Sequence, residues 1–160
     1  MKKSFRVGFS FGLTSGVITT LGLMIGLNSS TNSKIVVIGG ILTIAIADAL
    51  SDSMGIHIAA ESQNKHSVKD IWEATISTFS YKFIFSSIFI IPVVLFELCT
   101  AVPICILIGL YLIFASSLVI AREQKTSAWK VIGEHLILTI IVIIVAHFVG
   151  LFIAQTFGTI

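Results

Sequence analysis

Long apolar runs separated by short polar connections fill the chain from end to end. Five such runs stand out, at about 7–27, 35–60, 83–98, 104–121 and 131–154. Each is close to the roughly 20 apolar residues that carry a helix across a bilayer. In lipid the backbone must bond to itself, which leaves helices or a closed barrel. Barrel strands alternate apolar and polar positions, whereas residues 137–146 are apolar almost without interruption. The pattern therefore predicts an all-α membrane protein of five transmembrane helices, forming a single integral membrane domain over residues 1–160.

Composition agrees with the pattern and removes other classes. Of 160 residues, 56% are hydrophobic and only 11% are charged, with a mean hydropathy of +1.04. Soluble domains carry about a quarter charged residues, so a soluble or disordered chain is excluded. A net charge of +2 gives no basic face for nucleic acid.

The distribution of the basic residues predicts orientation. Lys2, Lys3 and Arg6 precede the first run, Lys65, Lys69 and Lys82 lie between the second and third, and Arg122, Lys125 and Lys130 lie between the fourth and fifth. Lys34 alone sits on the other side, so the bias is nine to one. The positive-inside rule then places the N-terminus in the cytoplasm and the C-terminus outside. Trp72 and Trp129 fall in the cytoplasmic connections, where interfacial aromatics belong. The first run is too long for a signal-peptide core and shows no small-residue cleavage site, so it is read as a retained helix.

The longest polar connection, about 61–78, holds a small amphipathic element. Ser67 and Asp70 have the spacing of a helix-capping pair, and Val68, Ile71, Trp72, Ile76 and Phe79 follow at helical intervals. This predicts an interfacial helix or an inward extension of the third span. Cys99 and Cys105 flank the outer hairpin with no second pair or CxxC. They are read as packing thiols rather than metal ligands.

Candidate chemistry is concentrated in three of the runs. The third and fourth are mostly Ile, Leu, Val and Phe and read as scaffold, with Pro92 kinking the third. In the first, Gly8, Gly12 and Gly16 recur at every fourth position, and Gly22 and Gly26 repeat the spacing. Such stripes let helix backbones approach closely and offer a contact surface for a second copy. Thr14, Ser15, Thr19 and Thr20 add hydroxyls to the same helix, usable as weak ligands or for interhelical bonds.

The second run is the unusual one. Asp48 and Asp52 are four residues apart and share a helix face, with Asp48 near the middle of the run. A charge at that depth costs about 2.5–3.5 kcal/mol on insertion scales. The run boundaries place no Lys or Arg at their level, which leaves protonation, a bound cation or a water-filled cavity. Because neighbouring runs are antiparallel, His57 and Glu61 are expected level with Glu134 and His135 near the cytoplasm. His147 is expected level with Asp48 and Asp52. Two ligand layers result, one of His57, Glu61, Glu134 and His135, the other of Asp48, Asp52 and His147. Such oxygen and imidazole donors suit Fe2+, Mn2+ or Zn2+ better than Cu+. A midplane carboxylate also suits proton coupling, since a bound cation and a bound proton exclude one another.

At these residues the chain resembles the vacuolar iron transporter (VIT) family. Ser15-Gly-Val-Ile-Thr-Thr-Leu-Gly-Leu-Met-Ile-Gly26 is similar to that family's Asp-Gly-Ile-Val-Thr-x-x-Gly-Leu-x-x-Gly. Ala49-Leu-Ser51-Asp-Ser-Met54-Gly55 is similar to its Ala-x-Ser-Met-x-x-Gly-Glu-Tyr segment, followed by Ser62-Gln63. The chain departs from the family at Ser15 (for Asp), Asp52 (for Met), Ile56 (for Glu) and His57 (for Tyr). It also has only a short connection where the family carries a glutamate-rich cytoplasmic insert. The resemblance implies a homodimer whose first two helices line a path for Fe2+ or Mn2+, exported from the cytoplasm in exchange for protons.

The expected function is thus proton-coupled export of a divalent cation, with no permanently bound cofactor. Metal and proton pathway candidates are Asp48, Asp52, His57, Glu61, Ser15, Thr19, Met54, Glu134, His135 and His147. The expected setting is the lipid bilayer of a prokaryotic plasma membrane, with a homodimer as the unit. The alternative is a non-transporting scaffold or assembly protein whose intramembrane polar residues serve packing. No intramembrane protease or hydrolase signature occurs, so an enzyme is not expected.

Overall fold

In the computed structural model, which describes residues 3–63 and 67–158, all regular structure among the described residues is helical. The order is α1 (Lys3–Thr31), α2 (Lys34–Ser62), α3 (Val68–Ser87), α4 (Ile90–Leu95), α5 (Leu98–Gln124) and α6 (Ala128–Phe157). Among the described residues, five helical segments are long and apolar enough to cross a membrane, with α3 and α4 together making the third, Val68–Leu95. This architecture suits a multi-pass membrane protein.

Two boundaries differ from the reading of the apolar runs. The third span starts at Val68 rather than at 83, and the fourth runs over Leu98–Gln124 rather than 104–121. Ser67 sets the earlier start, since its hydroxyl accepts the Asp70 backbone N–H at 3.2 Å and donates to the Asp70 carboxylate at 2.6 Å. The amphipathic element is therefore continuous with the third span, as its N-terminal extension. Its polar residues are tolerated because Thr75, Ser77, Thr78, Lys82 and Ser86 are buried among helices instead of facing lipid. The third span, read as scaffold over 83–98, thus also has a polar half that precedes that run. Lys82 is likewise not in a connection, which lowers the inner basic count to eight of the ten Lys and Arg. Lys2 and Lys65, also in that count, lie outside the described residues.

Pro92 acts as expected, one turn before its own position. It has no N–H to offer the Ile88 carbonyl, which accepts from Ile91 at 3.2 Å, and the helix breaks at Ile88–Phe89. Tight reversals close two other ends. Asn32, with φ of 46°, follows α1. Lys125, with φ of 53°, ends α5, where Thr126 N–H returns to the Ala121 carbonyl at 3.1 Å. Left-handed residues satisfy terminal carbonyls in this way.

α1 is the central helix, packed on α2, α3, α5 and α6. Its glycines are used inside the protomer. A Cβ on Gly8 would fall 2.7 Å from Thr78 N, and one on Gly12 would fall 2.8 Å from Thr78 O and 3.0 Å from Lys82 N. Gly16 faces Lys82 and Ser86 of the same helix. Gly22 and Gly26 instead face Val142 and Ala146 of α6. The Gly8/Gly12/Gly16 stripe is therefore covered by α3 and is not a surface for a second copy, because α3 of the same chain already occupies it. Trp72 and Trp129 are exposed in the first two turns of α3 and α6. Both cysteines are free, Cys99 exposed and Cys105 buried in the apolar cluster with Phe89, Val93 and Met24.

Candidate functional site

Three helices bring a charged cluster together at mid-height. On α2, Asp48 and Asp52 stand one turn apart and face Thr19 and Ser15, one turn apart on antiparallel α1. Thr19 Oγ1 donates to Asp48 Oδ2 at 3.0 Å, and Ser15 Oγ donates to Asp52 Oδ2 at 2.8 Å. The third helix supplies Lys82. Its ammonium lies 2.6 Å from Asp48 Oδ2, contacts Asp52 Oδ2, and donates to Ser15 Oγ at 2.9 Å. Asp48 is the middle residue of Lys34–Ser62, and Lys82 lies at the centre of Val68–Leu95.

The expectation that no Lys or Arg lies level with the carboxylates is thus overturned. Lys82 is fully buried, whereas the Asp48 and Asp52 side chains are 27% and 24% exposed. Glycine packing builds this geometry. Gly12 lets the α3 backbone approach α1, and Gly16 clears room for the lysine stem, where a Cβ would sit 3.2 Å from Lys82 Cγ. A lysine near a span end would extend to water; here the helix contact holds it inward. Two acids against one base leave a formal charge of −1.

From the cluster, buried polar residues extend mainly toward the Val68 end of α3. Thr75, Thr78, Lys82 and Ser86 form a buried polar row on α3, and Thr75 receives His57 from α2. Thr75 Oγ1 donates to the Ile71 carbonyl at 2.8 Å, so it accepts from His57 Nδ1 at 2.9 Å. This leaves Nε2 of a neutral His57 with the lone pair. From Thr75 to Lys82 is seven residues, about 10 Å along a helix. Toward the other end lie Leu21, Met24, Val37, Ile41, Phe89 and Val93, all fully buried and apolar.

The remaining candidates do not converge. His147 is not level with Asp48. It pairs with Ser29 at 2.7 Å, and Ser29 is ten residues beyond Thr19 on α1, about 15 Å of rise. α6 packs on α1 and α5, while α2 packs on α1, α3 and α4, so α1 keeps the two helices apart. For the same reason His57 and His135 occupy different sides of α1. His135 takes Ser117 of α5 at 2.8 Å and lines a cleft of about 840 Å3 with Arg6, Ser10, Thr14 and Glu123. Arg6 and Glu123 pair there at 2.5 Å. Glu61, Met54 and Glu134 are exposed. Neither expected ligand layer forms, and among the described residues no three His, Cys, Asp or Glu gather as a metal group.

Lys82, Thr75, Thr78 and Ser86 are the site residues that sequence reasoning missed. The signal for them was the Ser67/Asp70 cap. A helix begun there carries Lys82 about 21 Å inward at 1.5 Å per residue, to the middle of a bilayer-length span. Comparison of the chain with family models, with curated proteins and with solved structures finds no match.

Proposed function

We propose that the chain is a proton-coupled transporter of divalent cations, with Asp48 and Asp52 as the cargo seat. The observation that carries this reading is the pair of acids sharing one buried lysine at mid-height. A structural ion pair needs one carboxylate for one ammonium. The second leaves a negative charge in the apolar layer, which a proton or a cation offsets. With His147 about 15 Å away along the helix axis, the donors are carboxylates and the hydroxyls of Ser15 and Thr19. Oxygen donors of this kind favour Mn2+ over softer ions, with Fe2+ next. Two acids and two alcohols form an exchangeable set, as a transported ion requires.

The N-in, C-out orientation rests on the basic bias, and export against protons rests on the resemblance to the VIT family. In this reading the cargo enters along the buried polar row of α3, from the side opposite the apolar seal. Flux into proteoliposomes tests the reading. Wild type should carry Mn2+ faster when a pH gradient opposes it, and Asp52→Asn should reduce that flux at least tenfold while remaining folded, since Asp48 still pairs with Lys82. Equal flux in the two proteins would remove Asp52 from the pathway.

The unit we propose is a homodimer joined along α2. Gly39, Thr43, Ala47, Ser51, Gly55 and Ala59 recur at every fourth position on its exposed side, with open space beside both glycines. This strip adjoins the partly exposed carboxylates, so a second copy would take them out of lipid. In mild detergent the particle mass should be that of two chains, and Ser51→Leu should yield single chains. Dimers insensitive to Ser51→Leu would move the contact elsewhere.

A second reading, a scaffold without transport, is favoured by one observation: the Lys82 ammonium is already held by two carboxylates and a hydroxyl. Absence of flux for every divalent ion would select it.

A further inference from the structure

We infer that the Lys82 ammonium is a built-in substitute for the cargo: it occupies the cation seat of the empty carrier, and an arriving divalent ion must displace it. The inference rests on the transport reading of Asp48 and Asp52 and concerns what holds the seat between cargoes.

Three features of the cluster support it. First, the ammonium is surrounded as a bound ion would be. Ser15 Oγ at 2.9 Å and Asp52 Oδ2 accept protons from it, and Asp48 Oδ2 is its ion-pair partner at 2.6 Å. Second, its place is imposed by the fold. The stem passes over Gly16, Gly12 faces the Lys82 backbone, the residue is fully buried, and Lys82 lies on a helix that contacts both α1 and α2. Third, lysine suits a seat that has to be vacated. A compact charge on a flexible four-carbon stem can swing aside without moving the backbone, whereas a guanidinium would hold carboxylates in a rigid fork.

Charge then sets selectivity. Without Lys82 the empty seat would carry −2 in the apolar layer; with it, −1. A tethered competitor acts at a high effective concentration, so a monovalent ion brings no more charge than the ammonium it must replace. A divalent ion brings twice as much and displaces it. Lys82 thereby excludes Na+ and K+ from a seat of carboxylates and hydroxyls that would otherwise accept them.

Equilibrium binding of Mn2+ to the purified full-length protein, with and without NaCl at physiological ionic strength, tests this. Wild type should bind Mn2+ with an affinity changed less than about twofold by NaCl, beyond the general screening seen with choline chloride. Lys82→Met should bind at least about tenfold tighter, as expected when a like charge is removed from beside a partly buried cation site, and NaCl should weaken that binding more than choline chloride does. A lysine that only supports the fold would give weaker or unchanged binding. Lys82→Arg keeps the charge and should bind about fivefold more weakly than wild type. If Lys82→Met does not fold, Lys82→Arg decides, and unchanged or tighter binding overturns the inference. Absence of both binding and flux in wild type would instead bring down the transport reading, and this inference with it. Wild-type transport with unchanged or weaker binding by Lys82→Met would overturn the inference alone.

Discussion

Asp48→Asn combined with Asp52→Asn should cost about 3–5 kcal/mol of stability, the range for stranding a buried charge. Lys82 is fully buried, and both of its anionic partners come from these two residues. Removing them leaves an ammonium at mid-height whose remaining acceptor is Ser15. Each single variant retains one carboxylate and should lose far less. Adding Lys82→Met to the double variant should restore most of the loss, because neutral groups in place of a buried charge network are often no less stable. Reversible unfolding in mixed micelles measures all of these. A double variant within about 1 kcal/mol of wild type would mean that the cluster behaves as a solvated pair, and would remove the physical basis for a seat in the apolar layer.

Gly12→Val is the second large effect. The added Cβ would meet backbone rather than pliable side chains, 2.8 Å from Thr78 O and 3.0 Å from Lys82 N. Backbone cannot move aside locally, so α3 must retreat from α1, at the upper end of the overpacking range, about 3 kcal/mol. The retreat also withdraws Lys82 from Asp48 and Asp52, so the carboxylates should lose their counter-charge in the same variant. Gly133→Ala provides the contrast. Nothing lies within 4 Å of the Cβ it would gain, and exchanging a helical glycine for alanine gains up to about 1 kcal/mol. Equal behaviour of the two variants in the same micelle assay would show that α1 and α3 do not depend on the close approach.

These two variants also mark how far the chain could be read without its structure. Asp48 and Asp52 were legible because a charge within an apolar run contradicts its surroundings, and a four-residue spacing sets both on one face. Ser15 and Thr19 were legible for the matching reason on the facing helix. Lys82 was hidden by the same logic. It sits where Lys, Ser and Tyr residues lower the local hydropathy, so the apolar run seemed to begin after it. A buried polar row looks identical to a surface loop when only composition is counted. His147 was misplaced because depth was taken from the middle of an apolar run, whereas packing of Gly22 and Gly26 on Val142 and Ala146 sets the register of α6 on α1. The glycine stripe was recognised as a close-contact surface, but nothing in its spacing distinguishes a neighbouring helix of the same chain from a second copy.

By itself, then, the sequence determined the helical class, the number of spans, the cap at Ser67, the break before Pro92 and the two carboxylates. Each follows from local rules: run length against bilayer thickness, side-chain reach within one turn, and the missing proline N–H. Only the tertiary structure decided which groups the carboxylates meet. The Lys82 stem reaches Asp48 and Asp52 because glycines on α1 let α3 lie against it. That contact joins residues 67 positions apart, and no periodicity along the chain encodes it.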